Sequence, residues 1–174
     1  ERAWNFGANF TAKFRAWYRP GSISFDYYIT DFTNQVITDA YTSPDIIEIY
    51  NLKGESWSKS FQVAFNYEAF KRFDVRLAYK NDRVEIDYNG IASRKPLVPE
   101  HRALLNVSYG TVKENWRFDF TTHYQGETRL AISTANEEEI TGHDDSQVKN
   151  GLSPDFFTFN AQITYLKKKW EIYL

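Results

Sequence analysis

From Trp4 to Ala16 every even-numbered residue is apolar: Trp4, Phe6, Ala8, Phe10, Ala12, Phe14 and Ala16. The residues between them are small or polar: Asn5, Gly7, Asn9, Thr11, Lys13 and Arg15. A period of two belongs to a strand with one apolar and one polar face. The same beat recurs in segment after segment to the C-terminus, and the polar phase carries charges at intervals. That pattern fits a wall between lipid and water better than a wall between core and water.

Composition narrows the reading. The 174 residues suffice for one domain. A net charge of −2 and a pI of about 6.0 give no basis for a nucleic-acid partner. Aromatic residues make up 18%, a load that favours strands. The absence of cysteine excludes disulfides, thiolate metal sites and cysteine nucleophiles. Without methionine, Glu1 is not expected to be a natural start. Mean hydropathy is −0.59, and no apolar run reaches the length of a membrane helix. A strand-built membrane wall needs only alternate residues apolar, so it remains compatible with both facts.

About eight strands are expected, over residues 2–17, 22–39, 46–68, 73–80 with continuation through Val84, Ile86 and Tyr88, 103–109, 116–125, 157–165 and 170–174. Short turns are expected at 18–21, where Pro20 and Gly21 signal a turn, and at 69–72, 110–115 and 167–169. Longer connections are expected at 40–45, 89–100 and 126–155. Short turns at one end and long loops at the other are the asymmetry of outer-membrane barrels.

Tyr18, Tyr67, Phe73, Tyr109, Trp116, Tyr165 and Trp170 flank the short turns in the apolar phase. They form the expected membrane girdle of one rim. Trp4, Trp57, Tyr79 and Tyr124 are candidates for a second ring. Trp116 to Tyr124 spans roughly 26 Å at about 3.3 Å per residue. At a tilt of roughly 40° that covers about 20 Å of height, close to the apolar band of such barrels. The alternatives are a self-contained eight-stranded outer-membrane barrel with a structural or adhesive role, and a soluble ligand-binding β-barrel.

Three stretches carry a resemblance: GSISFDYYITDFTNQVI from Gly21 to Ile37, NLKGESWSKSFQV from Asn51 to Val63, and KPLVPEHRALLNVSY from Lys95 to Tyr109. Together they resemble the C-terminal half of the barrel in TonB-dependent outer-membrane receptors of the Bacteroidetes type. The resemblance implies an all-β fold: an antiparallel transmembrane β-barrel segment, about eight strands of a barrel of about 22 closed by a plug. Residues 1–174 would then be a partial barrel, with the plug and remaining strands outside this chain. The implied function is import of a scarce nutrient, such as a metal complex, cobalamin or a glycan. The implied location is the outer membrane of a Gram-negative bacterium. The implied partners are the lipid bilayer, the plug and barrel segments or another chain completing the barrel, and TonB through the plug region.

A barrel wall needs no catalytic constellation and no cofactor, and none is expected. His101, His123 and His143 lie on different segments, and no G-x-S-x-G, P-loop or H-E-x-x-H is present. Arg76, Lys80, Arg117, Asp119 and His123 share the polar phase and are the lumen-facing candidates. Arg129, Glu137, Glu138, Glu139, His143, Asp144 and Asp145 are the extracellular-loop candidates. The acidic cluster has the oxygen chemistry of a hard-cation site, but a run of acids is more often a solvated loop, and its spacing matches no known cation loop. Metal binding therefore stays open.

Overall fold

The structure is a computed structural model, described for residues 2–39, 46–52, 54–88, 91–113, 115–130, 151–167 and 170–174. The described residues form strands and no helix. Eight strands build the main wall. They are β1 (Arg2–Ala16), β2 (Arg19–Asn34), β5 (Ser56–Phe70), β6 (Phe73–Tyr88), β8 (His101–Gly110), β9 (Trp116–Gln125), β12 (Phe156–Lys167) and β13 (Trp170–Tyr173). Each pairs antiparallel with the next, in the order β1-β2-β5-β6-β8-β9-β12-β13. Five short strands decorate the far ends. The hairpin β3 (Val36–Asp39)–β4 (Glu48–Asn51) and the ladder β10 (Thr128–Arg129)–β11 (Leu152–Ser153) stand apart from the wall, while β7 (Ile91–Arg94) pairs beside β6.

Register converts the sequence alternation into faces, because directly paired residues point to the same side. One row runs Gly21, Tyr67, Val75, Val107, Phe120, Ala161. The next row on that face runs Ala12, Ile23, Phe65, Leu77, Leu105, Thr122, Phe159, and the one after it Phe10, Phe25, Val63, Tyr79, Ala103, Tyr124, Phe157. One side of the sheet is thus apolar from β1 to β12. Among the described residues no second layer covers it: Phe6 is 64% exposed and Phe159 66% exposed. A water-soluble sandwich would bury such a face against a partner sheet.

The turns differ from the expectation in detail. The first is Trp17-Tyr18, with φ of 46° and 63°, not 18–21. Positive φ at both central residues is what a two-residue type I′ hairpin requires. Pro20 and Gly21 lie inside β2, where Gly21 pairs with Phe14. A Cβ on Gly21 would stand 2.4 Å from the Phe14 ring, so the glycine makes room for that ring. Phe14 in turn stacks on Phe65 at 6.0 Å and Tyr67 at 6.2 Å. Packing across three strands sets this register, and the local Pro-Gly signal yields to it. The second turn holds Arg72 at φ 64°, beside a bulge between Glu68 and Phe70.

Measured from the Gly21 row, the turn-side ends lie at Arg19, Phe70, Gly110 and Lys167, drifting away across the sheet. Such stagger is what tilted strands in a barrel wall require. β1 and β13 do not pair with each other, so the described sheet is open.

Above Tyr79 the faces exchange character. On the apolar side β6 continues with Asn81, Arg83 and Glu85, opposite Phe61, Lys59 and Trp57. On the other side come Val84 and Ile86, with Ile86 only 5% exposed and paired to the buried Ser56. The expected continuation through Val84, Ile86 and Tyr88 is therefore a continuation of the strand but not of its apolar face. A strand of 16 residues spans about 50 Å. Tilted, that exceeds an apolar band of about 25 Å, so its upper end stands clear.

Candidate functional site

The polar face carries the charges in layers. Gln62, Lys80, Arg102 and Gln125 form one row, and Ser60 and Asp82 stand above it. Below it Ala64 and Ala78 pair directly, followed by Leu104 and His123. Ala78 is short, so the sheet dips beside it between the rows. The resulting depression, about 530 Å³, is edged by Arg76, Lys80, Arg102 and His123.

Asp82 anchors the upper edge. Its carboxylate accepts from the Ser60 hydroxyl at 2.7 Å, lies 3.1 Å from the Lys80 ammonium, and pairs with the Arg102 guanidinium. Three strands thus converge on one carboxylate. Arg76 has no ion-pair partner among the described residues and faces Asn66 and Asn106 in register. Three cations and one imidazole against one carboxylate leave the depression basic.

Arg117 and Asp119 form a second, lower group. They lie 3.3 Å apart, and Arg117 Nε also donates to Ser108 at 3.3 Å. All five lumen-facing candidates therefore stand on one face, with Arg76, Lys80 and His123 gathered around the depression and Arg117–Asp119 apart from it. Sequence reasoning missed Arg102, Asp82 and Ser60. Arg102 was legible from its even phase beside Asn106. Asp82 sits where the apolar alternation breaks, and two of its three partners, Ser60 and Arg102, lie some twenty residues away on neighbouring strands.

The candidate girdle residues occupy the other face. Register puts Phe73 opposite Tyr109, Trp116 opposite Tyr165, and Trp170 opposite Lys167. Trp116 and Tyr165 rings meet at 4.6 Å. Tyr67 shares that face, and its hydroxyl donates to the Ala16 carbonyl at 3.0 Å. Tyr18 differs: it lies in the turn, 97% exposed, rather than in a strand phase.

The histidines are divided between the faces. His101 lies outward, with its Nδ1 2.8 Å from the Tyr79 hydroxyl, while His123 lines the depression. Arg129 Nη1 donates to the Arg94 carbonyl at 2.9 Å, and its own carbonyl accepts from Leu97 N–H at 2.9 Å. Arg129 therefore ties two upper loops together. Glu137, Glu138, Glu139, His143, Asp144 and Asp145 lie outside the described residues. Among the described residues no group of three or more His, Asp or Glu side chains is arranged to hold a metal ion. No helix among them is long and apolar enough to cross a membrane.

Two comparisons bear on this arrangement. Residues 1–174 match the family model described as TonB dependent receptor-like, beta-barrel. No curated protein matches the chain.

Proposed function

Because this chain belongs to the TonB-dependent receptor-like β-barrel family, outer-membrane transporters of Gram-negative bacteria, we propose that it forms part of the wall of an active importer. The family consists of transporters and not enzymes. The observation that carries the reading is the apolar face that runs from β1 to β12 with Thr122 as a polar residue in it, backed by a charged face. The apolar side faces lipid and the charged side faces the lumen, where the Arg76–Lys80–Arg102 depression meets the plug or the passing solute.

The open edges of β1 and β13 support a wall completed by further strands, in this polypeptide or another chain. Unpaired backbone groups in hydrocarbon cost several kcal/mol each, so both edges need partners. A barrel of about 22 strands with a plug reached by TonB is the form that meets this need. The Bacteroidetes type of receptor is the one whose strands the chain resembles. The cargo is a scarce nutrient such as a metal complex, cobalamin or a glycan.

The test is energised uptake. Cells deprived of the gene are compared with wild type for growth on limiting haem, cobalamin or oligosaccharide. Loss of growth on one nutrient, restored by the gene only when TonB is present, is the expected result. Restoration without TonB would leave a passive or adhesive barrel as the better reading.

A further inference from the structure

The inner face carries two exposed aromatic rings that a polar wall does not need. Phe156 follows Gln125 in the row of Gln62, Lys80 and Arg102, and it is 46% exposed. Tyr28 stands in the next row up, in register with Ser60 and Asp82, and is also 46% exposed. Its partner on β1 is Gly7, where a Cβ would stand 2.4 Å from the ring. The missing side chain lets the Tyr28 ring lie flat along the wall. Apolar ring faces left in water gain free energy when a ligand covers them.

Between the rings lie hydrogen-bonding groups and a cationic centre. Tyr28 and Phe156 are separated by the steps β2-β5-β6-β8-β9-β12, roughly 24 Å at about 4.8 Å per step. Lys80 and Arg102 sit at the middle, with Gln62 on one side and Gln125 on the other. Lys80 keeps 38% of its side chain exposed and Arg102 45%, although both reach Asp82. Among the described residues the depression is edged by Arg76, Lys80, Arg102 and His123 and lined by no carboxylate. The other acids of this face are placed around it. Asp26 lies beyond Gln62, about 10 Å from Lys80, and Asn9 donates to it. Glu100 and Glu127 border a separate recess above, with Arg94 and Arg129, and Glu68 and Asp74 stand below Arg76. The track therefore reads ring, amide, cations, amide, ring.

We propose that this track binds an acidic oligosaccharide as the cargo. The proposal rests on the reading of the chain as an importer wall and names what that wall admits. Sugar rings present flat C–H faces to Tyr28 and Phe156, and their hydroxyls exchange hydrogen bonds with Gln62 and Gln125. A ring carboxylate takes the Lys80–Arg102 centre, where charge-assisted bonds are strong. Length selects an oligomer, because one sugar ring does not bridge two platforms roughly 24 Å apart. Charge selects a carboxylate-bearing oligomer over a neutral one. Height agrees with a solute arriving from outside. Lys80 lies between Tyr79 and Asn81, where the outward face changes character, so the track runs at the upper border of the apolar band.

The experiment is calorimetric titration of the full receptor in detergent with oligogalacturonate, with its fully methyl-esterified form, and with galacturonate monomer. The acidic oligomer should bind about tenfold or more tighter than the neutral ester, and tighter than the monomer. Arg102→Gln and Lys80→Gln should each weaken oligomer binding about tenfold, the loss of one charge-assisted contact. Tyr28→Leu and Phe156→Leu keep apolar bulk and remove the flat ring. Each should weaken the oligomer about fivefold and leave the monomer unchanged. Lys13→Gln, on the same face nearer the short turns, should change neither. Equal affinity for the acidic and esterified oligomers, equal loss of monomer and oligomer in the ring variants, or no binding of the acidic oligomer would overturn the proposal. TonB-dependent uptake is scored separately. Uptake of another nutrient without oligogalacturonate binding removes only the cargo assignment, whereas oligogalacturonate binding without TonB-dependent uptake keeps the site and removes the importer reading.

Discussion

The lower and upper halves of β6 have the same backbone and the same period, yet opposite phase. In the lower half Phe73, Val75, Leu77 and Tyr79 point outward, and Asp74, Arg76 and Lys80 share the inner face. In the upper half Asn81, Arg83 and Glu85 point outward, and Val84 and Ile86 point inward. Strand geometry cannot distinguish the halves; only the solvent on each side can. In the proposed orientation, lipid outside and water inside select the first pattern, and water outside with a packed interior selects the second. The exchange at Tyr79–Asn81 therefore marks a border of the apolar band, and Trp57, Lys59 and His101 mark it on the neighbouring strands.

Arginine placement breaks or sharpens this contrast most strongly. Phe120→Arg or Phe65→Arg, between the two rims, should cost roughly 2–4 kcal/mol and deplete the folded protein from outer membranes. Thr121→Arg and Gln62→Arg, on the inner face, should be mild, and so should Glu85→Arg above the border. Equal damage at all five sites would erase the distinction.

Truncation reads the same border from packing. Ile86→Ala should destabilise by about 2–4 kcal/mol in denaturant unfolding, because a buried side chain leaves a cavity. Leu77→Ala, 45% exposed, should cost far less, since lipid tails fill the space as well as leucine does. A larger loss at Leu77 would place the packed interior on the wrong side.

A smaller effect is expected at Asp82→Asn, which strips Lys80 and Arg102 of their shared carboxylate. Both cations are more than a third exposed, so screening holds the cost to about 1 kcal/mol. The sharper readout is anion affinity of the lumen face, which should rise as the depression gains net positive charge.

The least effect concerns the β3–β4 hairpin above the wall. Burial, then the Asp39 carboxylate that accepts its hydroxyl at 3.4 Å, push the Tyr50 phenol up to about 12. A raised folded value means the contribution is complete below about pH 10 and is lost between about 10 and 12. Ultraviolet titration should show a late-ionising tyrosine component, and Asp39→Asn should shift part of it earlier. A tyrosine spectrum with no late component would show the contact to be absent.

The period-two wall was legible because lipid and water impose it directly on every second residue. The turn at Trp17-Tyr18 was not, because Pro20-Gly21 is a stronger local signal. Only the fit of Phe14 over Gly21 and onto Phe65 and Tyr67 shows why those residues sit within a strand. The exchange of faces in β6 was written in parity, Tyr79 being odd and Val84 even, but a list of apolar residues hides parity. The five charges assigned to the polar phase do share one face. Their grouping was hidden, because what gathers Lys80 and Arg102 is Asp82, and what opens the depression is the short side chain of Ala78. Small residues leave little trace in a search for chemistry.

The exchange of faces has a consequence for assembly. In the proposed orientation the upper ends of β5 and β6 stand beyond the membrane on the far side from the short turns, so they must cross the hydrocarbon before the wall is finished. Lys59 and Arg83 make that crossing together, at roughly 2–4 kcal/mol each at the midplane. A barrier raised by about 5 kcal/mol slows passage by more than about a thousandfold. The border that steadies the finished wall is thus a kinetic obstacle to building it. Unassisted insertion of this hairpin should be slow, and the cell's route must either thin the bilayer locally or carry the two cations across paired with Glu85.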